Sequence, residues 1–397
     1  MSDAADQVRL ARAALTRICE PGSAGLARLI ARRGPVGALE ALWHDGDVPA
    51  EIARQVLVRR GRLAAVLAQA ARDLDQAAGC GGRLICPEDA EWPPRLADLA
   101  AVGCTGDPAM PPVALWARGP GDLAGLCARS VSLVGSRAAT SYGTFVAGEF
   151  GHGLVDREWT VISGGAYGID GAAHRGALTA GGPTVAILAS GVDRPYPLGH
   201  AGLFDRIRAD GMLVSEWPPG CPPQRLRFLV RNRVIAAISA GTVVVEAAAR
   251  SGARMTARRA AELNRPLMAV PGPVTSAMSV GAHQLLRSGA VLVTSAAEIL
   301  DAVGRIGDDF AEPPRGPTTA RDGLSPELTT VIEAVPARQA QPIPEIAARA
   351  GVRLRDAMHA LPLLVNHGLV EEAPGGFRLT VAGRQSAAAG NEPAPLR

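Results

Sequence analysis

SVSLVGSR (Ser130–Arg137) and WTVISGGAYGID (Trp159–Asp170) are the stretches that decide the fold. Each is a short apolar run that passes directly into a glycine and serine loop, as a buried strand does when it hands the chain to a helix. Outward from them, strand candidates alternate with helical stretches. They are Val131–Val134, Thr160–Ile162, Thr184–Leu188, Met212–Ser215, Thr242–Glu246, Leu267–Val270 and Val291–Val293. Near-continuous apolar strands of this kind predict an α/β fold, a doubly wound and mostly parallel sheet covered on both faces. Its last helix opens with Ser295-Ala-Ala-Glu298, which reads as a capping box. In such sheets ligands sit beyond the carboxyl ends of the strands, where both loops lie.

The two loops suggest anion chemistry. Gly135 lets a phosphate approach the amides that follow it, beside Ser136, and Arg137 adds a charge-assisted contact. The plain alternative is a tight turn with a surface arginine. Ser163-Gly164-Gly165-Ala-Tyr-Gly168 resembles the dinucleotide fingerprint, but Ser163 stands where its first glycine belongs. The next strand ends in Ala189-Ser190 with no carboxylate for a ribose, so a nicotinamide dehydrogenase is disfavoured and phosphate binding by the loop is expected. Asp170 reads as a helix cap and His174 as a packed surface histidine.

A third block, RFLVRNRVIAAIS (Arg227–Ser239), follows Arg225 and the proline-rich arm Trp217–Pro223. Phe228 among arginines offers a base a stacking face while guanidiniums track phosphates. Arg225 and Phe228 are expected outside, and Arg231 or Arg233 inside with Glu216 or Glu246. The candidate contacts are Gly135, Ser136, Arg137, Ser163, Gly164, Gly165, Arg225, Arg227, Phe228, Arg231, Asn232 and Arg233. No nucleophile or metal-ligand cluster accompanies Glu246, so no catalytic set, metal or cofactor is predicted.

Composition agrees with this. The 397 residues contain no lysine, and all 41 basic side chains are arginine, which excludes a Walker A, Schiff-base or kinase lysine. Net charge is +3, yet Arg206–Arg265 holds eleven arginines against four acids, the footprint of an electropositive groove or simply of a solvated face. The six cysteines form no CxxC pair and read as buried thiols in a reducing compartment. Without a long apolar run or a leader-like start, the protein is expected in the cytoplasm with no membrane contact.

Five regions are predicted. Residues 1–75 are a helical module, 80–304 the α/β domain and 305–323 a linker. Residues 324–385 run helix, helix, helix and a hairpin on Gly375-Gly376, the order of a winged helix, and 386–397 form a disordered tail. Pro362 sits awkwardly inside the third of those helices.

At CPEDAEWPPRL, SLVGSRAATSYG, VISGGAYGIDGAAHRGAL, SGVDRPYP, LVSEWPPG, RFLVRNRVIAAIS and VVVEAAARSGARMTARRAAELNRPLMAVPG the chain resembles the bacterial DNA-processing protein A family, also called DprA or Smf. The resemblance implies a Rossmann-like domain flanked by an N-terminal helical module of the SAM or helix-hairpin-helix kind and a C-terminal winged helix. It implies single-stranded DNA binding and hand-over to RecA during natural transformation or homologous recombination, by a homodimer and without catalysis. It places DNA contacts on Gly135, Ser136 and Arg137, on the Ser163–Gly165 loop, and at Arg225 and Phe228. The chain departs from the family at Leu229, where FPxRNR is usual, and in offering both Arg225 and Arg227 before the aromatic.

Two other readings compete. Rossmann-like relatives with a similar SGGxxG loop hydrolyse the N-glycosidic bond of nucleoside monophosphates through a PGGxGTxxE motif; aligned on Thr256, its glutamate falls at Arg259. Alternatively the winged helix binds duplex DNA through Arg353, Arg355 and His359.

Overall fold

The structure, a computed structural model, describes residues 3–44, 48–49, 52–53, 56, 62–102, 109–304 and 321–388. Cys104, most of the expected linker and residues 389–397 of the expected tail lie outside them. Two compact units are present, Met1–Glu312 and Pro313–Arg397.

The first unit is built on a nine-stranded sheet. Its strands are β1 (Gly82–Ile85), β2 (Leu115–Arg118), β3 (Ser130–Val134), β4 (Thr160–Ser163), β5 (Thr184–Leu188), β6 (Met212–Ser215), β7 (Gly241–Val244), β8 (Leu267–Ala269) and β9 (Val291–Leu292). Their spatial order is β1-β2-β6-β5-β4-β3-β7-β8-β9, giving a Rossmann-like, mostly parallel sheet. β3 to β9 pair in parallel, while β2 runs antiparallel to β6 and β1 antiparallel to β2. All seven predicted strands are present. The antiparallel pair β1–β2 lies in the stretch the sequence pattern leaves irregular.

Neighbouring residues of the central strands serve opposite faces, as the pleat requires. Leu133, Val161 and Val243 pack against Phe150, Ala173 and Ile299. Their successors Val134, Ile162 and Val244 pack against Val234, Ile235 and Ala257 on the other side. Burial on both faces explains why the strands read as apolar runs rather than alternations.

The chain winds outward from β3 through β4, β5 and β6, then returns across the sheet to place β7 on the other flank of β3. This is a topological switch point, and it leaves a crevice at the carboxyl ends of β3 and β7.

Before the sheet come helices Asp3–Ile18, Ala24–His44 and Leu63–Gly79, the second broken at Gly34 (φ 70°) ahead of Pro35. They share one core with the sheet: Leu15, Ile18, Leu26 and Leu39 are continuous with Leu84, Trp116, Leu188, Phe204 and Leu213. Ion pairs Arg9–Asp89 and Arg12–Glu88 and the bond from Trp116 Nε1 to Thr16 fasten the seam.

The second unit has its own core, with Val331, Ile346, Leu361, Leu364 and Leu379 at its centre. Helices Pro326–Ala334, Ile343–Ala350 and Leu354–Asn366 precede β10 (Val370–Ala373) and β11 (Gly376–Leu379). Gln341 and Phe377 add a bridge beside the hairpin. The turn is Pro374-Gly375, one residue earlier than the expected glycine pair, because Ala373 already pairs with Gly376. Pro362 is exposed and the helix runs through it. Residues 386–388, expected in a disordered tail, instead end the helix Val381–Ala388.

Candidate nucleic-acid interface

The crevice at the switch point is a pocket of about 470 Å³. The loop after β3 (Gly135, Ser136, Arg137), the turn after β7 (Arg250, Ser251, Gly252) and the helix Arg225–Ile238 form its walls. That helix presents Phe228, Asn232 and Ile235 to the crevice at spacings of four and three, the stripe an α-helix offers to one side.

Two clamps fix the first wall. Gly135 has no room for a Cβ, which would stand 2.5 Å from Ile169 and 2.8 Å from the Glu246 carbonyl oxygen. The Ser136 amide donates to that same carbonyl at 2.8 Å. The buried Glu246 carboxylate accepts from the Thr140 amide (2.9 Å) and hydroxyl (2.6 Å). Thr140 in turn caps the helix Ser141–Val155 through Gly143. Glu246 therefore clamps the loop.

Arg137 is exposed and lays its guanidinium over Phe228, 4.8 Å from the ring centroid. Tyr196, itself 44% exposed, meets the same ring edge-on at 5.9 Å. Phe228 is half-buried, with Arg231 5.9 Å from its centroid. Charge and aromatic surface thus meet on one patch, with a ring available for stacking.

The arginine-rich run divides sharply once partners are assigned. Arg233 is buried and pairs bidentately with buried Glu216 (2.5 and 2.7 Å) while donating to the Met110 carbonyl. Arg227 is buried, pairs with Glu20 at 3.1 Å, bonds the Pro222 carbonyl and lies over Trp217. Arg227 was expected at the interface and is structural, while Arg233, a candidate contact also expected inside with Glu216 or Glu246, is inside with Glu216. Arg231 is buried too, donating to the carbonyls of Gly164 (2.8 Å) and Ile187, so it floors the pocket from within. Arg259 and Arg258 pair with Glu262, and Arg265 with Asp98. Among the described residues, Arg225 and Arg250 of this run are exposed without an ion pair or hydrogen bond, and Arg137 joins them from the other wall.

The second loop departs from expectation more strongly. Ser163, Gly164 and Gly165 are buried, and the Ser163 hydroxyl donates to the Leu133 carbonyl at 2.6 Å. The amides of Gly164 and Ala166 are already bonded to Asp170 Oδ2, at 3.1 and 3.4 Å. These residues support the crevice without facing it. Asp170, taken for a helix cap, is a buried carboxylate whose pKa is pushed up by burial against the pull of Arg231. His174 is fully buried rather than at the surface. Its Nδ1 meets the Thr184 hydroxyl at 2.8 Å, and burial drives its pKa down to about 3, so it is neutral.

Arg250 and Tyr196 were not singled out from the sequence. Arg250 carried a signal, because it lies in the basic run on the turn between β7 and the next helix; Tyr196 reaches Phe228 only through the fold.

Arg259, onto which the competing hydrolase reading aligns its glutamate, is buried and pairs with Glu262. Among the described residues no group of three or more His, Cys, Asp or Glu is placed to hold a metal ion, and no helix is long and apolar enough to cross a membrane. Cys19, Cys86 and Cys127 are buried, and Cys80 and Cys221 half-buried. Burial pushes the Cys86 thiol up to about 12.

Fold and site together define a Rossmann-like protein with an arginine-rimmed, aromatic-floored groove at the switch point of its sheet. Residues 83–304 match the model of the DNA recombination-mediator protein A family. The chain is 46% identical over 388 residues to the putative DNA processing protein DprA of Mycobacterium tuberculosis, covering 97% of both. It is 36% identical to protein Smf of Escherichia coli over 300 residues, 74% of this chain and 76% of that one. The crystal structure of DNA processing protein A from Streptococcus pneumoniae superposes with a TM-score of 0.57 at 29% identity, covering 75% of this chain and 98% of that one. The protein belongs to the DNA recombination-mediator protein A family.

Proposed function

We propose that the protein binds single-stranded DNA in the switch-point groove, without turnover, and passes it to RecA during transformation or recombination. The observation that carries this reading is the Arg137–Phe228 pair, with Arg225 and Arg250 free to meet phosphates on either side. Guanidiniums and a half-exposed ring bind a flexible strand through phosphate charge and base stacking, which every base supports. A duplex keeps its bases stacked and offers that ring nothing. The DNA-processing names of its relatives support a DNA partner. Gly135, Ser136, Arg137, Arg225, Phe228 and Asn232 are the proposed contacts from the original set, with Arg250 and Tyr196 added.

Homodimerisation is proposed through the open edge of the sheet. Val291 and Leu292 on β9 are 48% and 52% exposed, an apolar edge strand of the kind that pairs with another chain. The second unit is proposed as a winged helix. Its residues 321–388 carry seven arginines and seven acids, a net charge of zero. Arg353 and Arg355 both pair with Asp356, which argues for a protein-contact role over duplex binding.

The test is fluorescence anisotropy of a labelled oligonucleotide, single-stranded against duplex, across a salt series with wild type and Arg137→Ala. Single-strand preference that falls with salt and with the substitution supports the groove. Equal or absent binding of the two forms overturns it. A RecA-filament assay on coated single strands then tests the hand-over.

A further inference from the structure

The Ser163–Gly168 loop has the parts of a phosphate cradle. Gly165 (φ 69°) and Gly168 (φ 74°) turn the chain with left-handed backbone, and two amides converge on one point. The N-terminus of the helix Ile169–Thr179 adds its dipole, and the buried Arg231 guanidinium adds fixed charge held by the Gly164 and Ile187 carbonyls. Gly164 is glycine because a Cβ there would stand 2.3 Å from that guanidinium. An anion already fills the cradle, and it is the chain's own: Asp170, 6% exposed, takes both amides with one carboxylate oxygen. The same carboxylate lies in the wall of the 470 Å³ pocket.

We infer that Asp170 is a resident stand-in for phosphate, a specificity-determining residue that closes the groove to free nucleotides while leaving it open to a polymer. The inference deepens the proposed function and rests on it for the identity of the polymer. A nucleoside monophosphate brings a terminal dianion that needs convergent amides and an enclosed cation, and here those donors are spent and a like charge faces it. A phosphodiester chain needs only the rim arginines Arg137, Arg225 and Arg250, with its bases on Phe228. Burying a carboxylate has a desolvation cost, which a purely structural turn avoids with a neutral residue.

The test uses the full chain with Asp170→Gly and Asp170→Asn, and inorganic phosphate and thymidine 5′-monophosphate as probes. Thermal melting is recorded in phosphate against chloride of equal ionic strength, and the monophosphate is used to displace a labelled oligothymidylate. Wild type is expected to gain only the modest general stabilisation that phosphate gives any fold. Asp170→Gly is expected to melt lower in chloride and to recover in phosphate, because a ligand that binds only the folded state stabilises it. The monophosphate is expected to displace the oligonucleotide from the variants at about tenfold lower concentration than from wild type. Variants that fold yet ignore both probes overturn the inference, as does a wild type displaced as readily as they are. If Asp170→Gly fails to fold in either salt, Asp170→Asn decides by displacement alone, since it removes the charge while its carboxamide oxygen can still take both amides. A wild type that binds no oligonucleotide sinks the single-strand reading, while the melting comparison still reports on the cradle.

Discussion

The Arg137 guanidinium lies 4.8 Å from the centroid of the Phe228 ring, joining the loop after β3 to a helix far along the chain. Each partner holds the other where a strand of nucleic acid can use both. Under the proposed function a base stacks at this ring while the guanidinium meets its phosphate.

Replacing Arg137 with alanine is expected to weaken single-strand binding several-fold and to lower the salt slope by about 0.7, the loss of one phosphate contact. Its side chain is exposed, so the melting temperature stays near that of wild type. Anisotropy titrations at four or so salt concentrations give both quantities. An unchanged slope removes Arg137 from the contacts.

Phe228→Ala is expected to lose about 1–3 kcal/mol of binding from base stacking. Phe228→Trp is expected to retain most of it. A large fall in melting temperature with Phe228→Ala identifies the ring as core instead, and a calorimetric melt separates the two outcomes.

Arg233→Ala is expected to destabilise the protein by about 3–5 kcal/mol, because it strands buried Glu216 without its bidentate partner. Arg225→Ala, by contrast, leaves stability intact and reduces DNA affinity. Urea unfolding and anisotropy on both variants give opposite profiles. A stable Arg233→Ala with weakened binding reverses their assignments.

His174 makes stability fall in acid. Its pKa is depressed in the fold to about 3, whereas the unfolded chain titrates it near 6.5. The unfolded state therefore takes up a proton first, and the contribution is whole above about pH 6.5 and lost as pH falls toward 3. At pH 5 this amounts to about 2 kcal/mol. The difference in urea midpoint between pH 7.5 and 5 is expected to shrink in His174→Asn; an undiminished difference assigns it to other groups.

Leu292→Lys places a charge on the apolar edge of β9 and is expected to halve the mass seen by sedimentation if the protein self-associates there. A dimer that survives the substitution moves the interface elsewhere.

The parallel sheet was readable because strands buried on both faces announce themselves as unbroken apolar runs, as at Val131–Val134 and Thr184–Leu188. β1 and β2 were not, since Gly82-Arg83 opens one and Arg118 closes the other, so neither is an unbroken apolar run, and they owe their pairing to each other and to β6. Gly135, Arg137 and Phe228 carried their site signal in residue type and place. The fate of Arg227 did not, because charge counts over a local run cannot see Glu20 arriving from elsewhere, and Glu216 was legible as a partner without the choice between Arg231 and Arg233. The capping box was half right. Ser295 does accept from the Glu298 amide, but the Glu298 carboxylate reaches one residue further back, to Thr294. At Ser163–Gly165 the expected phosphate loop has its amides already taken, and nothing in the spacing shows that Asp170 folds back to them.

Glu20 pairs with Arg227, the immediate neighbour of Phe228, and also accepts from Trp217 Nε1. The N-terminal helices and the groove are thus not interchangeable parts. A chimera that imports the first seventy-odd residues from a homologue inherits the stacking ring's support only if the donor brings a carboxylate to that place.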